Sequence, residues 1–241
     1  MLQLQQPLRW AHGQRPGGLT AGRSGDYAAP AAYCARGPNK GATGMRALLI
    51  FSGLLAVTPV MACDDYASWR QVNEDCAWTT ATEEAVIQSS LPQRIPTDVT
   101  SFCPNYANLD PLHRSRFWVG LLSAMARPES NYNPAATYTE SFDDGSGNRV
   151  ISRGLLQISI ESANQQRYAC GIEKDEDLHI PRVNLQCGVK ILEAWVVNDN
   201  VIASYQKPSR GGGRYWSVLR ASNNRLPEIM GITSSLAFCQ E

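Results

Sequence analysis

After residue 62 the chain contains no apolar run approaching the roughly 20 residues that a bilayer-spanning helix needs. Histidine is scarce: only His113 and His179 follow that point, and no two cysteines stand in a CxxC pair. A zinc cluster of the usual spacing is therefore excluded, and no metal or cofactor is expected. No basic cluster exists either. From Cys63 onward 16 Lys and Arg face 21 Asp and Glu, a net charge of −5, while the full 241 residues sum to zero. Nucleic-acid binding needs a clustered basic surface, so that partner class is set aside. Internal repeats are absent, which removes solenoids and arrays.

What is present begins with an export signal. Met45-Arg46 is a short positive start, Ala47 to Thr58 an apolar stretch of twelve positions, and Val60-Met61-Ala62 a small-residue cleavage site. Residues 45–62 read as a secretory signal peptide. The 44 residues before it are rich in Ala, Gly, Arg, Pro and Gln without hydrophobic periodicity; they are expected to be a mis-assigned or disordered leader. Residues 63–241 then form one domain, with 63–108 as a cysteine-bearing lead-in. Six cysteines follow the signal: Cys63, Cys76, Cys103, Cys170, Cys187 and Cys239. An even number in an exported chain implies disulfides, with fifteen connectivities open for three bridges. Cys170 with Cys187 is the expected local pair. Val60 to Cys63 loosely resembles a lipoprotein signal, but lipidation at Cys63 would leave an odd cysteine. A periplasmic or secreted monomer is expected.

The exported part is expected to be mainly helical. Glu83 and Glu84 mark the first turn of a helix starting near Thr82. Asp110-Pro111 opens the main helix, with Asp as N-cap and Pro at the first position. Phe117, Trp118, Leu121, Leu122 and Met125 make one apolar face. Pro128 predicts an end or a kink at Arg127. Thr137–Phe142 and Arg149–Ser152 read as two strands around the turn cluster 143–148. A helix is expected from Leu155 to Ala163, another from Pro181, a flexible joint at Gly211–Gly213, a helix start at Tyr215–Leu219, and a last helix over Pro227–Cys239.

Three motifs follow one another: Glu129-Ser130 with Asn133-Pro134, then Gly154-Leu155-Leu156-Gln157-Ile158, then Asn184-Leu185 with Gly188 and Leu192. Together they resemble the lysozyme-like superfamily, in particular the soluble lytic transglycosylase family and goose-type lysozymes. The resemblance implies an α+β, mainly α fold with a small β-hairpin beside a cleft. It also implies cleavage of the β-1,4 bond between the two sugars of peptidoglycan, by one glutamate acting as acid and then as base.

That glutamate is Glu129. Glycoside cleavage needs a proton delivered to the leaving oxygen, so the acid must keep its proton near neutral pH. A place at a helix C-terminus among apolar neighbours (Tyr132, Tyr138, Leu155) raises a carboxyl pKa. The resemblance supplies no second carboxylate: where animal-type lysozymes carry aspartate, this chain has Ser152. A transglycosylase needs none, since the sugar's 6-hydroxyl attacks and leaves a 1,6-anhydro product. Lytic transglycosylase activity is therefore the expected function; Glu140, Asp143 and Asp144 read first as solvated turn residues, and the alternative is that one of them positions a water and makes the enzyme a hydrolytic lysozyme. By the same resemblance Ser130, Ser152, Gln157, Tyr138 and Tyr215 are substrate-binding candidates, although the family's Ala-Tyr-Asn segment near Tyr215 is absent. An acidic cleft rim would repel ordinary anionic peptidoglycan and favour glycan with free amines. The reading of another class is a catalytically silent lysozyme-like module that binds glycan or serves as a scaffold.

Overall fold

Asp110 starts the longest helix as the sequence predicts, its carboxylate accepting the His113 N–H at 2.8 Å, with Pro111 at the first position. This helix, here α2 (Pro111–Ser130), belongs to a computed structural model that describes residues 65–73 and 75–241. The leader 1–44, the signal segment 45–62 and Cys63 lie outside the described residues. The sequence predicts one buried face for α2, yet every residue from Phe117 to Met125, and Ala126 after it, is buried. Small side chains on the second face make this possible. Gly120 lets the Tyr66 carbonyl approach, since a Cβ would stand 2.9 Å from it. Ser123 accepts the Ser68 N–H at 2.9 Å and donates to the Gly120 carbonyl. The lead-in thus lies over α2 and completes its burial.

Pro128 does not end α2, so of the two outcomes expected at Arg127 the chain does not take the first. The helix runs to Ser130 and is capped by Asn131 in the left-handed region (φ 51°), whose N–H donates to the Arg127 carbonyl at 2.8 Å. The Ser130 hydroxyl fastens this last turn, with the Ala126 carbonyl at 3.1 Å and the Leu155 carbonyl at 2.9 Å. Local tertiary bonds override the preference of the pre-proline residue. Glu129 consequently lies inside the last turn rather than beyond it.

Around α2 pack α1 (Ala77–Gln88) and α5 (Arg225–Ser234), and α1 also packs on α4 (Pro181–Asp199). α1 begins five residues before the expected Thr82, because Asn73 and Asp75 accept the Trp78 and Ala77 N–H groups. Between α2 and α4 the chain makes one antiparallel hairpin, β1 (Thr137–Asp143) and β2 (Arg149–Arg153), with Thr137, Tyr138 and Thr139 opposite Arg153, Ser152 and Ile151. Only Ile160–Ala163 of the helix expected from Leu155 is helical (α3), with Ser159 as its cap. Residues 155–158 instead form a closed turn. The expected joint Gly211–Gly213 is a buried single turn. Gly211 has a left-handed backbone (φ 52°) and would set a Cβ 2.3 Å from the Val201 carbonyl, and a Cβ at Gly212 would press on Leu219 and Leu192, so backbone conformation and packing together require glycine there. Tyr215–Leu219 holds only a short 3-10 turn, Ser217–Leu219. The last expected helix is two, α5 and α6 (Ala237–Gln240).

Cys103 bonds to Cys239 and Cys170 to Cys187, the latter being the local pair named from sequence; Cys76 is also disulfide-bonded. Among the described residues no helix is long and apolar enough to cross a membrane. The class is α+β and mainly α, with one two-stranded sheet.

The turn after β2 is the most tightly tied segment. Arg153 and Ile158 exchange both backbone hydrogen bonds at 2.9 Å. Fully buried Asn184 accepts the Leu156 N–H and donates to the Arg153 and Leu178 carbonyls, all at 2.9 Å. Trp216 donates its indole N–H to the Leu156 carbonyl at 2.8 Å. Removing Asn184 would take the side-chain partner from the Leu156 N–H and the Leu178 carbonyl and one of two donors from the Arg153 carbonyl, which keeps the Ile158 N–H. Each group left without a partner costs about 1–3 kcal/mol. Asn184→Leu is expected to lower unfolding free energy in urea by about 3 kcal/mol or more; a loss under about 1 kcal/mol would show that the clamp carries little.

Candidate active site

The end of α2, the start of β1 and the turn after β2 enclose a cleft of about 570 Å³, lined among others by Glu129, Tyr138, Gln157, Arg127, Arg225 and Glu228. Glu129 keeps part of its surface in the cleft, but its carboxyl is surrounded by protein. Burial, first of all, and then the charge of Glu140 push its pKa up to about 8, against a partial opposing effect of Arg220. A carboxyl so placed holds its proton at neutral pH, as a general acid must. A second groove of about 640 Å³ lies between α1, α4 and the 170–177 segment, away from this chemistry.

The structure separates the three hairpin acids. Glu140 points to the same side of the sheet as Ser152, whose buried hydroxyl donates to its Oε1 at 2.7 Å, and its charge is felt at Glu129. Asp143 is paired with Arg149 at 3.2 Å on the exposed hairpin. Asp144 accepts the Ser146 and Asn148 N–H groups at 2.7 and 2.9 Å. Those bonds hold its carboxyl below the usual range and give it a turn-forming role.

The remaining candidates divide in the same way. Tyr138 is 61% exposed and lines the cleft. Gln157, also on the cleft wall, takes a left-handed backbone (φ 49°) and donates its amide to the Gly154 carbonyl at 2.8 Å. Ser130 ties α2 to Leu155, and Ser152 holds Glu140. Tyr215 is not among the cleft-lining residues. Its hydroxyl meets the Ser159 N–H at 3.4 Å, behind the turn, and burial raises its pKa well above the ordinary phenol value. Sequence reasoning missed Arg220. This arginine is half-buried, and its Nε donates to the Gly213 carbonyl at 2.6 Å. No short-range motif marks it, because the glycine turn that holds it was read as a loose joint. Among the described residues no group of three or more His, Cys, Asp or Glu could hold a metal ion.

Residues 110–223 match the transglycosylase SLT domain. Three solved structures of the protein DslA are similar over nearly their whole length. A Glu-to-Gln mutant is 43% identical with a TM-score of 0.68, and the wild-type form 43% with 0.67; each comparison covers 72% of this chain and 97% of that one. A second Glu-to-Gln mutant, substituted eleven positions further along DslA, is 42% identical with a TM-score of 0.67. No curated protein matches. The chain belongs to the SLT family of the lysozyme-like superfamily, and its fold is lysozyme-like. That family membership assigns it to peptidoglycan chemistry.

The raised pKa of Glu129 has a consequence for stability. Its folded value stands above the ordinary 4.5, so the folded state binds an extra proton between the two. The stability linked to that proton is fully present below about pH 4.5 and lost as pH rises through about 8. Glu129→Gln keeps a neutral side chain at every pH. Its Tm advantage over the parent protein is expected to grow from acid pH up to about 8 and then level off. A difference in Tm that does not change with pH would show that the carboxyl is not withheld from water.

Proposed function

We propose that this protein is an exported peptidoglycan-cleaving glycosidase that cuts the MurNAc–GlcNAc β-1,4 bond by hydrolysis. The observation that carries the reading is the proximity of two carboxyl groups in different surroundings, one enclosed and protonated (Glu129), one on the half-open hairpin (Glu140). Separating the environments of two carboxyls is how a glycosidase obtains an acid and a base from the same residue type. Glu129 gives its proton to the leaving glycosidic oxygen. Glu140, oriented by Ser152, takes a proton from the water that attacks the sugar's anomeric carbon. The spacing supports the same pair: Glu129 and Glu140 stand eleven residues apart, as do the two glutamates substituted in the DslA structures.

The rival within this fold is lytic transglycosylase chemistry, in which Glu129 acts alone and the 6-hydroxyl replaces water. It leaves Glu140 without a role, although Ser152 is buried beneath the hairpin to hold it. A silent glycan-binding module would not need an enclosed, protonated carboxyl. The finer expectation of preference for glycan with free amines now rests on Glu140, since Asp143 is neutralised by Arg149 and Asp144 is committed to its turn. Export agrees with the disulfides and with the segment read as a signal peptide.

Digestion of purified sacculi in ¹⁸O-water separates the readings. Hydrolysis puts one ¹⁸O into each new reducing end, which borohydride then reduces. Glu129→Gln and Glu140→Gln are each expected to lower the release rate by about 100-fold or more. Anhydro products without label, released at undiminished rate by Glu140→Gln, would establish the transglycosylase instead.

A further inference from the structure

The hairpin carries two large aromatic side chains that the fold leaves in water. Tyr138 is 61% exposed and Phe142 57%, both on β1. Side chains alternate across a strand, so Tyr138, Glu140 and Phe142 belong to one side. The register supports this despite its irregularity. Thr139 opposes Ile151 and Asp143 opposes Arg149, so the bulge adds two residues to β1 and the strand is in step on either side of it. Tyr138 lines the cleft, and the charge of Glu140 on the same side is felt at Glu129. Because the bulge folds two extra residues into β1, Thr139 and Asp143 stand opposite residues only two apart on β2, so the two aromatics are about 7 Å apart along the sheet, a little more than one sugar ring spans.

Exposed aromatics arranged in line and continuous with a cleft mark a binding surface. Of the neighbouring acids, Asp143 is paired with Arg149, and Glu140 keeps its charge between the two rings. With the far end of the hairpin neutralised by that pair, the surface suits an elongated ligand with flat apolar faces, uncharged or carrying amines that Glu140 attracts. A β-1,4-linked glycan strand presents such faces along its rings.

We propose that Tyr138 and Phe142 form an aromatic rail along β1 that binds the part of the glycan strand beyond the cleaved bond, making Phe142 a determinant of preference for long strands. This rests on the glycosidase reading above, and the test keeps the two apart. Binding is measured by calorimetry in the Glu129→Gln background, with peptidoglycan-derived oligosaccharides from the disaccharide upward. Turnover of the parent protein is followed separately.

Phe142→Ala is expected to weaken binding of long oligosaccharides about fivefold and of the disaccharide by less than about twofold. Phe142→Trp should restore the length dependence. Equal weakening at every length, or none at any, overturns the rail. So does a Phe142→Ala protein whose glycan binding is intact but which has lost a self-association seen by sedimentation. A parent protein that binds with the expected length dependence yet never cleaves would overturn the glycosidase reading and leave the rail standing.

Discussion

The withdrawal of one carboxyl from water organises this structure. A glutamate in solvent is ionised at neutral pH and has no proton to give. Enclosing Glu129 reverses that, and the nearby charge of Glu140 adds to the effect while Arg220 opposes it. An enclosed carboxyl is costly, so its surroundings must be unable to relax away from it. Ser130, the next residue, bonds across to Leu155, and the turn that carries Leu155 is clamped by Asn184 and Trp216. The same clamp sets the end of β2, and Ser152 near that end orients Glu140. Acid, turn and second carboxylate are therefore one hydrogen-bonded assembly.

The helical body supplies the rigidity this needs. α2 is buried on all sides over its middle ten residues, which fixes where its last turn must emerge. Tyr106, Phe117 and Trp118 pack edge to face against one another, and the Trp118 indole donates to the Tyr106 hydroxyl at 2.8 Å. The Cys103–Cys239 disulfide joins the segment before α2 to the last helix across 136 residues of sequence. Cys170–Cys187 ties the chain after α3 to α4, the helix that carries Asn184. The hairpin has far less support: apart from Val150 and Ser152, its side chains are exposed or half-exposed. A rigidly held helix end that carries Glu129 stands beside a lightly built strand.

Much of this was legible in the sequence. Asp110-Pro111 marked the start of α2, the turn cluster 143–148 marked the hairpin, and Pro181 marked α4, because capping, turn and proline chemistry act over a few residues. The parts that were not legible depend on long-range contacts. Pro128 was expected to end or kink α2, and that the helix continues could not be read because nothing nearby reveals that Leu155 will hold Ser130. Gly211–Gly213 looked like a joint because the groups that crowd its glycines, the Val201 carbonyl and the Leu192 and Leu219 side chains, are not its immediate sequence neighbours. At the site, Glu129 stood out by its motif. The distinction among Glu140, Asp143 and Asp144 did not, since it follows from which side of a bulged strand meets Ser152. Arg220 carried no local signal at all.

The most direct test of the account is a ¹³C NMR titration of the Glu129 side-chain carboxyl, in the parent protein and in Glu140→Gln. The account predicts a midpoint near 8 in the parent and a lower one in the variant, because a charge that favours the protonated form has been removed. A midpoint near the ordinary 4.5, unmoved by the substitution, would contradict it.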